Sequence, residues 1–180
     1  MDSITVEKTY EPRFSSFGTS FIGPTLSFFA ANLVSYTSEE TTLFFLAREG
    51  YWLDKAYKSY IDGRGGKRES HYLLASRAFM FKVLLNDSRS YSYSLKSDFT
   101  GSFFDFMRTR FLLSNTEIQT IFSDDITQSP VSLPKDKEKI VGILINHKSG
   151  IDAAINPTKE AYLAYLDSLG VTSQSTLHLV

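Results

Sequence analysis

Apolar and polar positions in the first half of the chain follow a strand pattern and then a helix pattern. The run 43–47, Leu-Phe-Phe-Leu-Ala, has the length and aromatic content of a buried strand, and it stops at Arg48. Apolar residues then return at helical spacing from Leu53 to Ile61. The pattern predicts a strand, a tight charged turn and a helix.

The same arrangement repeats further along the chain. The run 71–75 predicts a second strand, after which Ser76 and Arg77 open the apolar stretch 78–85. Apolar residues near the last position predict a third strand at 176–179. Strands that alternate with helices pair in parallel through right-handed crossovers, so we expect these three strands to be neighbours in one sheet.

Helical patterns account for most of the remaining chain. Pro24 suits a first helical turn and predicts a helix at about 24–35. The apolar residues of this helix cover more than one face, which predicts burial between the sheet and another layer. Further helices are expected at 103–111, at 115–122 with a capping box of Ser114 and Glu117, at 135–155 ending before Pro157, and from 162 to a C-cap at Gly170.

Together these elements predict the domain organisation. We expect residues 1–16 to be a loose N-terminal segment and residues 17–180 to be a single α/β domain. That domain is a small parallel sheet with flanking helices and a helical insert at about 101–170. Polar composition predicts a loop or edge hairpin at 88–97 and a loop at 124–134.

The segment 62–69 is rich in glycine and in cations, which are features of phosphate-binding loops. Phosphate-binding loops follow a strand and lead into a helix, whereas this segment follows a helix and leads into a strand. We therefore favour an ordinary exposed connection.

Polar side chains follow each of the first two predicted strands. In open α/β sheets ligands bind at the carboxyl ends of the strands, so Arg48, Glu49 and Gly50, together with Ser76 and Arg77, are the candidate substrate-binding residues. Guanidinium groups pair bidentately with phosphate, and two arginines at one sheet edge predict a phosphorylated ligand. Ion pairs between these arginines and Glu49 or other acids are the structural alternative.

Composition excludes several classes of function. The chain has 180 residues, of which 42% are hydrophobic and 22% charged, as in globular proteins. A net charge of -1 and a pI near 6.3 argue against nucleic acid as a partner. The chain has no cysteine and its three histidines are scattered, so no metal site is predicted from these residues, and only metal-independent or carboxylate-bound metal chemistry remains open. No signal peptide and no uninterrupted apolar run of ~18 residues is evident, which predicts a cytoplasmic protein without a membrane span.

Three segments in combination resemble a known family. They are 21–26, Phe-Ile-Gly-Pro-Thr-Leu; 43–53, Leu-Phe-Phe-Leu-Ala-Arg-Glu-Gly-Tyr-Trp-Leu; and 72–78, Tyr-Leu-Leu-Ala-Ser-Arg-Ala. Their order and spacing resemble a region of bacterial haloacid dehalogenase-like (HAD-like) predicted hydrolases, which accompany or are fused to glycosyltransferases in capsule and O-antigen clusters. The resemblance implies a role in surface polysaccharide biosynthesis. It also implies that the last strand leads to a further loop, so we expect a chain truncated at its carboxyl end.

The chain departs from HAD-like enzymes in one respect. Their phosphotransfer needs an Asp-x-Asp loop after the first strand, in which one carboxylate is the nucleophile and both help to hold Mg²⁺. No Asp-x-Asp pair occurs in the 180 residues, and the adjacent pair Asp124 and Asp125 is typical of a solvated turn. The catalytic residues therefore stay unassigned, Mg²⁺ is implied only for a longer protein, and no phosphatase activity is expected from this segment alone.

The residues and the resemblance together predict a hydrolase-type protein that binds a phosphorylated sugar or nucleotide. Two alternatives stay open. A strand that ends in Arg-x-Gly also describes a phosphoribosyltransferase-like domain. The many aromatic residues also suit a non-catalytic module that docks a glycosyltransferase domain or subunit.

Overall fold

The computed structural model describes residues 12–174 and 176–180. Residues 1–11 of the predicted loose segment lie outside the described residues, and residues 12–16 of it are helical. In chain order, the α-helices are α1 (Pro12–Phe17), α2 (Gly23–Tyr36), α3 (Gly50–Asp62), α4 (Arg77–Val83), α5 (Tyr91–Ser94), α6 (Phe103–Phe111), α7 (Asn115–Ile121), α8 (Asp124–Thr127), α9 (Lys137–Asn146) and α10 (Lys148–Ser168). The β-strands are β1 (Leu43–Leu46), β2 (Ser70–Leu73), β3 (Phe99–Ser102), β4 (Pro130–Leu133) and β5 (His178–Leu179).

The chain folds into two compact units. Unit 1 contains the described residues up to Leu74 together with Thr176–Val180, and unit 2 is Ala75–Ser175. Unit 1 is therefore discontinuous in sequence, because the chain leaves it after β2 and returns to it for β5. Each unit has its own cluster of buried apolar side chains.

Unit 1 is built on a three-stranded parallel sheet with the strand order β2-β1-β5. The central strand, β1, pairs through Leu43 with Ser70 on one side and with His178 on the other. The prediction that these three strands share one parallel sheet is confirmed, and the small parallel sheet with flanking helices is consistent with the predicted α/β class. Side chains alternate along a strand, so one face of β1 contributes Leu43 and Phe45 to the core. The core cluster of unit 1 is completed by Ala30 of α2 and by Tyr57 and Ile61 of α3.

Helix α2 lies where the proline pattern predicts it, but its burial differs from the prediction. Among its described residues only Ala30 is buried, and the side chain of Phe28 is 73% exposed. One face of the helix packs on the core of unit 1, and the apolar residues on its other faces are left without cover. Apolar composition therefore predicted burial that the packing does not provide.

The helical segment Ser15–Tyr36, which includes α2, has one further property. It is 22 residues long, and its length and apolar composition match those of a membrane-spanning helix. Core helices of soluble proteins and signal sequences share both properties. Among the described residues it is the only helix of this kind, and length and composition alone are weak evidence for a membrane span.

Unit 2 is mainly helical around one large core. Helices α6 and α7 have the predicted positions, and Ser114 and Glu117 form the predicted capping box. The segment expected to be a loop at 124–134 instead forms α8 and strand β4, and β4 pairs antiparallel with β3. The segment 88–97 is a 3-10 helix, Ser88–Ser90, followed by α5, because Tyr91 and Leu95 are buried in the core.

Residue Pro157 does not end a helix, contrary to the prediction. Helix α10 continues through Pro157, with Ile151 and Ile155 buried before it and Tyr162 buried after it. A proline inside a helix costs about 3 kcal/mol, and burying a large apolar side chain stabilises by roughly 1.5–3 kcal/mol. Burial on both sides of Pro157 therefore outweighs the local cost of the proline.

Candidate ligand-binding site

The candidate site lies at the carboxyl end of β1, where the sheet stops. The N–H of Leu46 donates to the carbonyl of Val180 at 3.0 Å, and the N–H of Ala47 donates to the carbonyl of Leu73 at 2.9 Å. Arg48 is therefore the first residue beyond the paired backbone. The chain passes from β1 to β2 on one side, whereas β5 lies on the other side, so β1 and β5 flank a topological switch point. Ligands of open α/β sheets bind at this position.

Gly50 determines how α3 begins. A Cβ atom at Gly50 would lie 2.7 Å from the carbonyl carbon and 2.9 Å from the oxygen of Phe45. Only glycine permits this approach, which places the first turn of α3 directly against β1. The carbonyls of Arg48 and Glu49 accept hydrogen bonds from the N–H groups of Tyr51 and Trp52, at 3.3 and 3.2 Å. Arg48 and Glu49 thus form a tight turn between the strand and the helix.

Arg48 and Glu49 differ in their electrostatic interactions within this turn. Both side chains are exposed, and a carboxylate oxygen of Glu49 accepts from the backbone N–H of Arg48 at 3.4 Å. Backbone hydrogen bonds from Glu49 and Arg48 lower the pKa of Glu49, with a smaller contribution from the positive charge of Arg48. In the part of the chain that the structure describes, the Arg48 guanidinium forms no ion pair. The structural alternative requires Arg48 to pair with an acid at the sheet edge. The described residues do not form this ion pair.

Exposed aromatic rings lie next to this turn, and sequence reasoning did not assign them to the site. The side chain of Trp52 is 69% exposed, and its ring meets that of Tyr51 edge-on at 5.1 Å. Tyr51 in turn meets Tyr72 of β2 at 5.6 Å, and the Lys55 ammonium lies 4.6 Å from the Tyr51 ring centre. The signal for Trp52 is its position in the first turn of α3, directly after Arg48, Glu49 and Gly50 in sequence.

Ser76 and Arg77 belong to unit 2, whereas Arg48, Glu49 and Gly50 belong to unit 1. The Ser76 hydroxyl accepts from the N–H of Phe79 at 3.3 Å and is the N-cap of α4. Arg77 is the exposed first residue of α4 and lines an open groove of unit 2. The structure thus brings Arg48, Glu49 and Gly50 together, and their convergence with Ser76 and Arg77 on one crevice stays a prediction.

The glycines of the segment after α3 do not offer free backbone N–H groups to a phosphate. The N–H groups of Gly63, Gly65 and Gly66 donate to helix carbonyls at 3.0, 3.0 and 3.1 Å, so they close the carboxyl end of α3. That end of a helix carries partial negative charge, which disfavours an anion. Arg68 donates to the carbonyl of Thr37 at 3.0 Å and holds the end of α2 to this segment. The segment therefore has a structural use that explains its composition.

Within residues 12–174 and 176–180, no group of three His, Asp or Glu side chains is arranged to hold a metal ion. At the turn after β1, Glu49 supplies one carboxylate, so the described residues do not fit the Mg²⁺ site of HAD-like enzymes. Comparison of the chain with protein-family models, with curated proteins and with solved structures finds no match.

Proposed function

We propose that this chain binds a phosphorylated sugar or nucleotide at the carboxyl end of β1, as part of a HAD-like, hydrolase-type protein of bacterial surface polysaccharide biosynthesis. One observation carries the binding proposal. The exposed Arg48 guanidinium lies at the switch point of a parallel sheet and forms no ion pair with the described carboxylates. The family assignment rests on the resemblance of the three sequence segments.

The neighbours of Arg48 suit the two chemical parts of such a ligand. Arg48 pairs with the phosphate through charge-assisted hydrogen bonds. Glu49, whose pKa is lowered by backbone hydrogen bonds, is ionised at neutral pH and accepts hydrogen bonds from sugar hydroxyls. The exposed ring of Trp52 offers a flat apolar face for a base or for a sugar ring. A ligand that carries both phosphate and hydroxyl groups therefore makes more favourable contacts with Arg48 and Glu49 than inorganic phosphate does.

The chemistry proposed for this segment is binding. Phosphotransfer by the HAD-like mechanism needs two carboxylates, spaced as Asp-x-Asp, directly after a strand. The turn after β1 contains Arg48, Glu49 and Gly50, so it has a single carboxylate and no pair at this spacing. A nucleophile for hydrolysis would have to come from outside these residues.

A second candidate function is supported by a separate observation. Phe21, Phe28 and Tyr36 are 57%, 73% and 84% exposed along one continuous helical segment. Large exposed apolar surfaces mark interaction sites. This observation favours a module that docks a glycosyltransferase domain or subunit, and such docking is compatible with ligand binding at Arg48.

Trp52 makes the binding proposal directly testable, because it is the only tryptophan in the chain. Its fluorescence reports on a ligand at the turn. We expect glucose 1-phosphate or uridine monophosphate to change this fluorescence in a saturable titration, with glucose, uridine and inorganic phosphate binding more weakly. Replacing Arg48 by alanine removes the charge-assisted contact and should weaken binding by about 1.5–3 kcal/mol.

The matched control is Arg64→Ala, since Arg64 is an exposed arginine at the opposite end of α3. Arg64→Ala should leave the titration unchanged. Equal affinity of the protein and of Arg48→Ala for the phosphorylated probes, or a loss of stability in Arg48→Ala without a loss of affinity, would show that Arg48 is structural.

A further inference from the structure

Unit 2 contains an open groove that is lined only by its own residues. The groove has a volume of about 590 Å³ and lies between α4 and the segment that holds the 3-10 helix Ser88–Ser90 and α5. Its apolar lining comes from Met80, Phe81 and Leu84 of the α4 region and from Tyr93 of α5. This volume and this lining are typical of sites for small organic molecules.

The walls of the groove are held by hydrogen bonds. The carbonyl of Leu84 accepts from the N–H of Asp87 at 3.0 Å and from the hydroxyl of Ser90 at 2.9 Å. The Tyr91 hydroxyl donates to the carbonyl of Leu85 at 2.9 Å, and both residues belong to the core of unit 2. The turn that forms one wall is therefore anchored, and the groove is preformed.

The charges around the groove are unbalanced. Its lining includes the cations Arg77, Arg89 and Lys96 and a single carboxylate, that of Asp87. Arg89 donates to both carboxylate oxygens of Asp87, the shorter contact being 2.6 Å, and this pairing lowers the pKa of Asp87 to about 2. Asp87 is thus ionised and already paired at neutral pH. Arg77 and Lys96 form no ion pair with the described carboxylates, so the groove has two uncompensated positive charges.

We propose that this groove binds a free amphipathic organic anion. The apolar part of the ligand lies on Met80, Phe81 and Leu84, and its anionic group lies at Arg77 and Lys96. An apolar lining by itself would accept an uncharged ligand, and cations by themselves would accept a wholly polar anion. The two together favour a ligand that is both apolar and anionic. This site goes beyond the proposed function, because all of its residues lie in unit 2; Arg77 is the one residue of the groove that is also a sequence-predicted candidate for the sheet-edge site.

The test uses the full chain and octyl phosphate, kept below its micelle concentration, in isothermal titration calorimetry. We expect octyl phosphate to bind at least tenfold more tightly than 1-octanol, inorganic phosphate or octyltrimethylammonium. Lys96→Gln removes one unpaired charge and should weaken octyl phosphate binding about fivefold to tenfold. Tyr93→Ser removes an exposed ring and should weaken it as well.

Lys139→Gln is the matched control, because Lys139 is an exposed lysine of α9 outside the groove, and it should bind octyl phosphate as the unaltered protein does. Arg48→Ala should also leave this binding unchanged, and Lys96→Gln should leave the Trp52 titration unchanged. These two results distinguish failure of the groove from failure of the site at Arg48.

Several outcomes would overturn the proposal. Equal binding of 1-octanol would show an apolar surface without selection for anions, and equal losses in Lys96→Gln and Lys139→Gln would show general electrostatic attraction. Binding to vesicles of anionic phospholipid without binding of free octyl phosphate would identify a membrane surface as the occupant. A dimer in analytical ultracentrifugation that Tyr93→Ser dissociates would identify a second copy of the chain.

Discussion

At Gly50 the backbone of α3 passes so close to β1 that no side chain fits. The nearest atoms, the carbonyl carbon and oxygen of Phe45, belong to a buried strand and are not free to move aside. A larger residue must push the first turn of α3 away from the sheet. The position of Arg48 and Glu49 at the carboxyl end of β1 therefore depends on this one glycine.

Gly50→Ala should lower the free energy of unfolding by about 1–3 kcal/mol, because overpacking against fixed backbone outweighs the better helix propensity of alanine. Gly142→Ala is the matched control in the middle of α9, where an added Cβ would meet no atom within 4 Å. The control should raise the free energy of unfolding by about 0.5–1 kcal/mol. Denaturant unfolding of both variants measures the difference, and a shift of the same sign in both would contradict the close approach at Gly50.

At the scale of single elements, α4 depends on its cap. The first N–H groups of a helix have no acceptor within the helix, and the Ser76 hydroxyl accepts a hydrogen bond from one of them. Helix α4 has only seven residues, so this bond is a large share of its stabilisation. Ser76→Ala should lower the free energy of unfolding by about 1 kcal/mol, whereas Ser76→Asp, which retains a capping oxygen, should preserve it. Thermal unfolding checks this expectation. If both variants are as stable as the unaltered protein and the Trp52 titration weakens, Ser76 contacts the ligand and the cap is incidental.

Apolar residues of helix α2 differ widely in their burial. Ala30 is fully buried against the core of unit 1, whereas Phe28 is mostly exposed. Ala30→Leu should lower the free energy of unfolding by about 1–3 kcal/mol through overpacking, and Phe28→Ser should change it by no more than about 0.5 kcal/mol. Both are measured by denaturant unfolding. A large loss of stability in Phe28→Ser would mean that this face of the helix is covered in solution.

At the scale of the whole molecule, the two units differ in the size of their cores. The described core cluster of unit 2 has sixteen buried residues, whereas that of unit 1 has five. Unit 2 is also continuous in sequence, while the sheet of unit 1 needs β5 from beyond it. A continuous chain with a large core has what it needs to fold independently.

We therefore expect the fragment 75–175 to fold alone and to unfold cooperatively. Circular dichroism should show a helical fragment with a sigmoidal thermal transition, and the full chain should unfold in more than one step because its units have separate cores. A fragment without a cooperative transition, or a full chain whose calorimetric and van't Hoff enthalpies agree, would contradict two independent units.

Local patterns were enough for the elements whose causes lie close together in sequence. The strand at β1 followed from its apolar run, and the start of α7 followed from Ser114 and Glu117, which bond to each other's backbone three residues apart. In the same way, Gly170 has a positive φ of 69° and closes α10 as the pattern predicts. Each of these features is decided within about one turn of chain.

The sequence by itself determined the order along the chain of α2, β1, α3, β2 and β5, and the placement of Arg48, Glu49 and Gly50 after a strand, because strand length, helical spacing and glycine positions are local properties. It did not predict α1, which begins in the segment expected to be loose. Only the tertiary structure decided that β3 and β4 pair, that α10 continues through Pro157 and that Ala30 is the one fully buried residue of α2. It also decided that Arg48 lacks an ion pair with the described carboxylates and that the ring of Trp52 is exposed. These features depend on which surfaces pack together from distant parts of the chain. The pattern of residues along one sequence does not specify the distance between residues that are far apart in it.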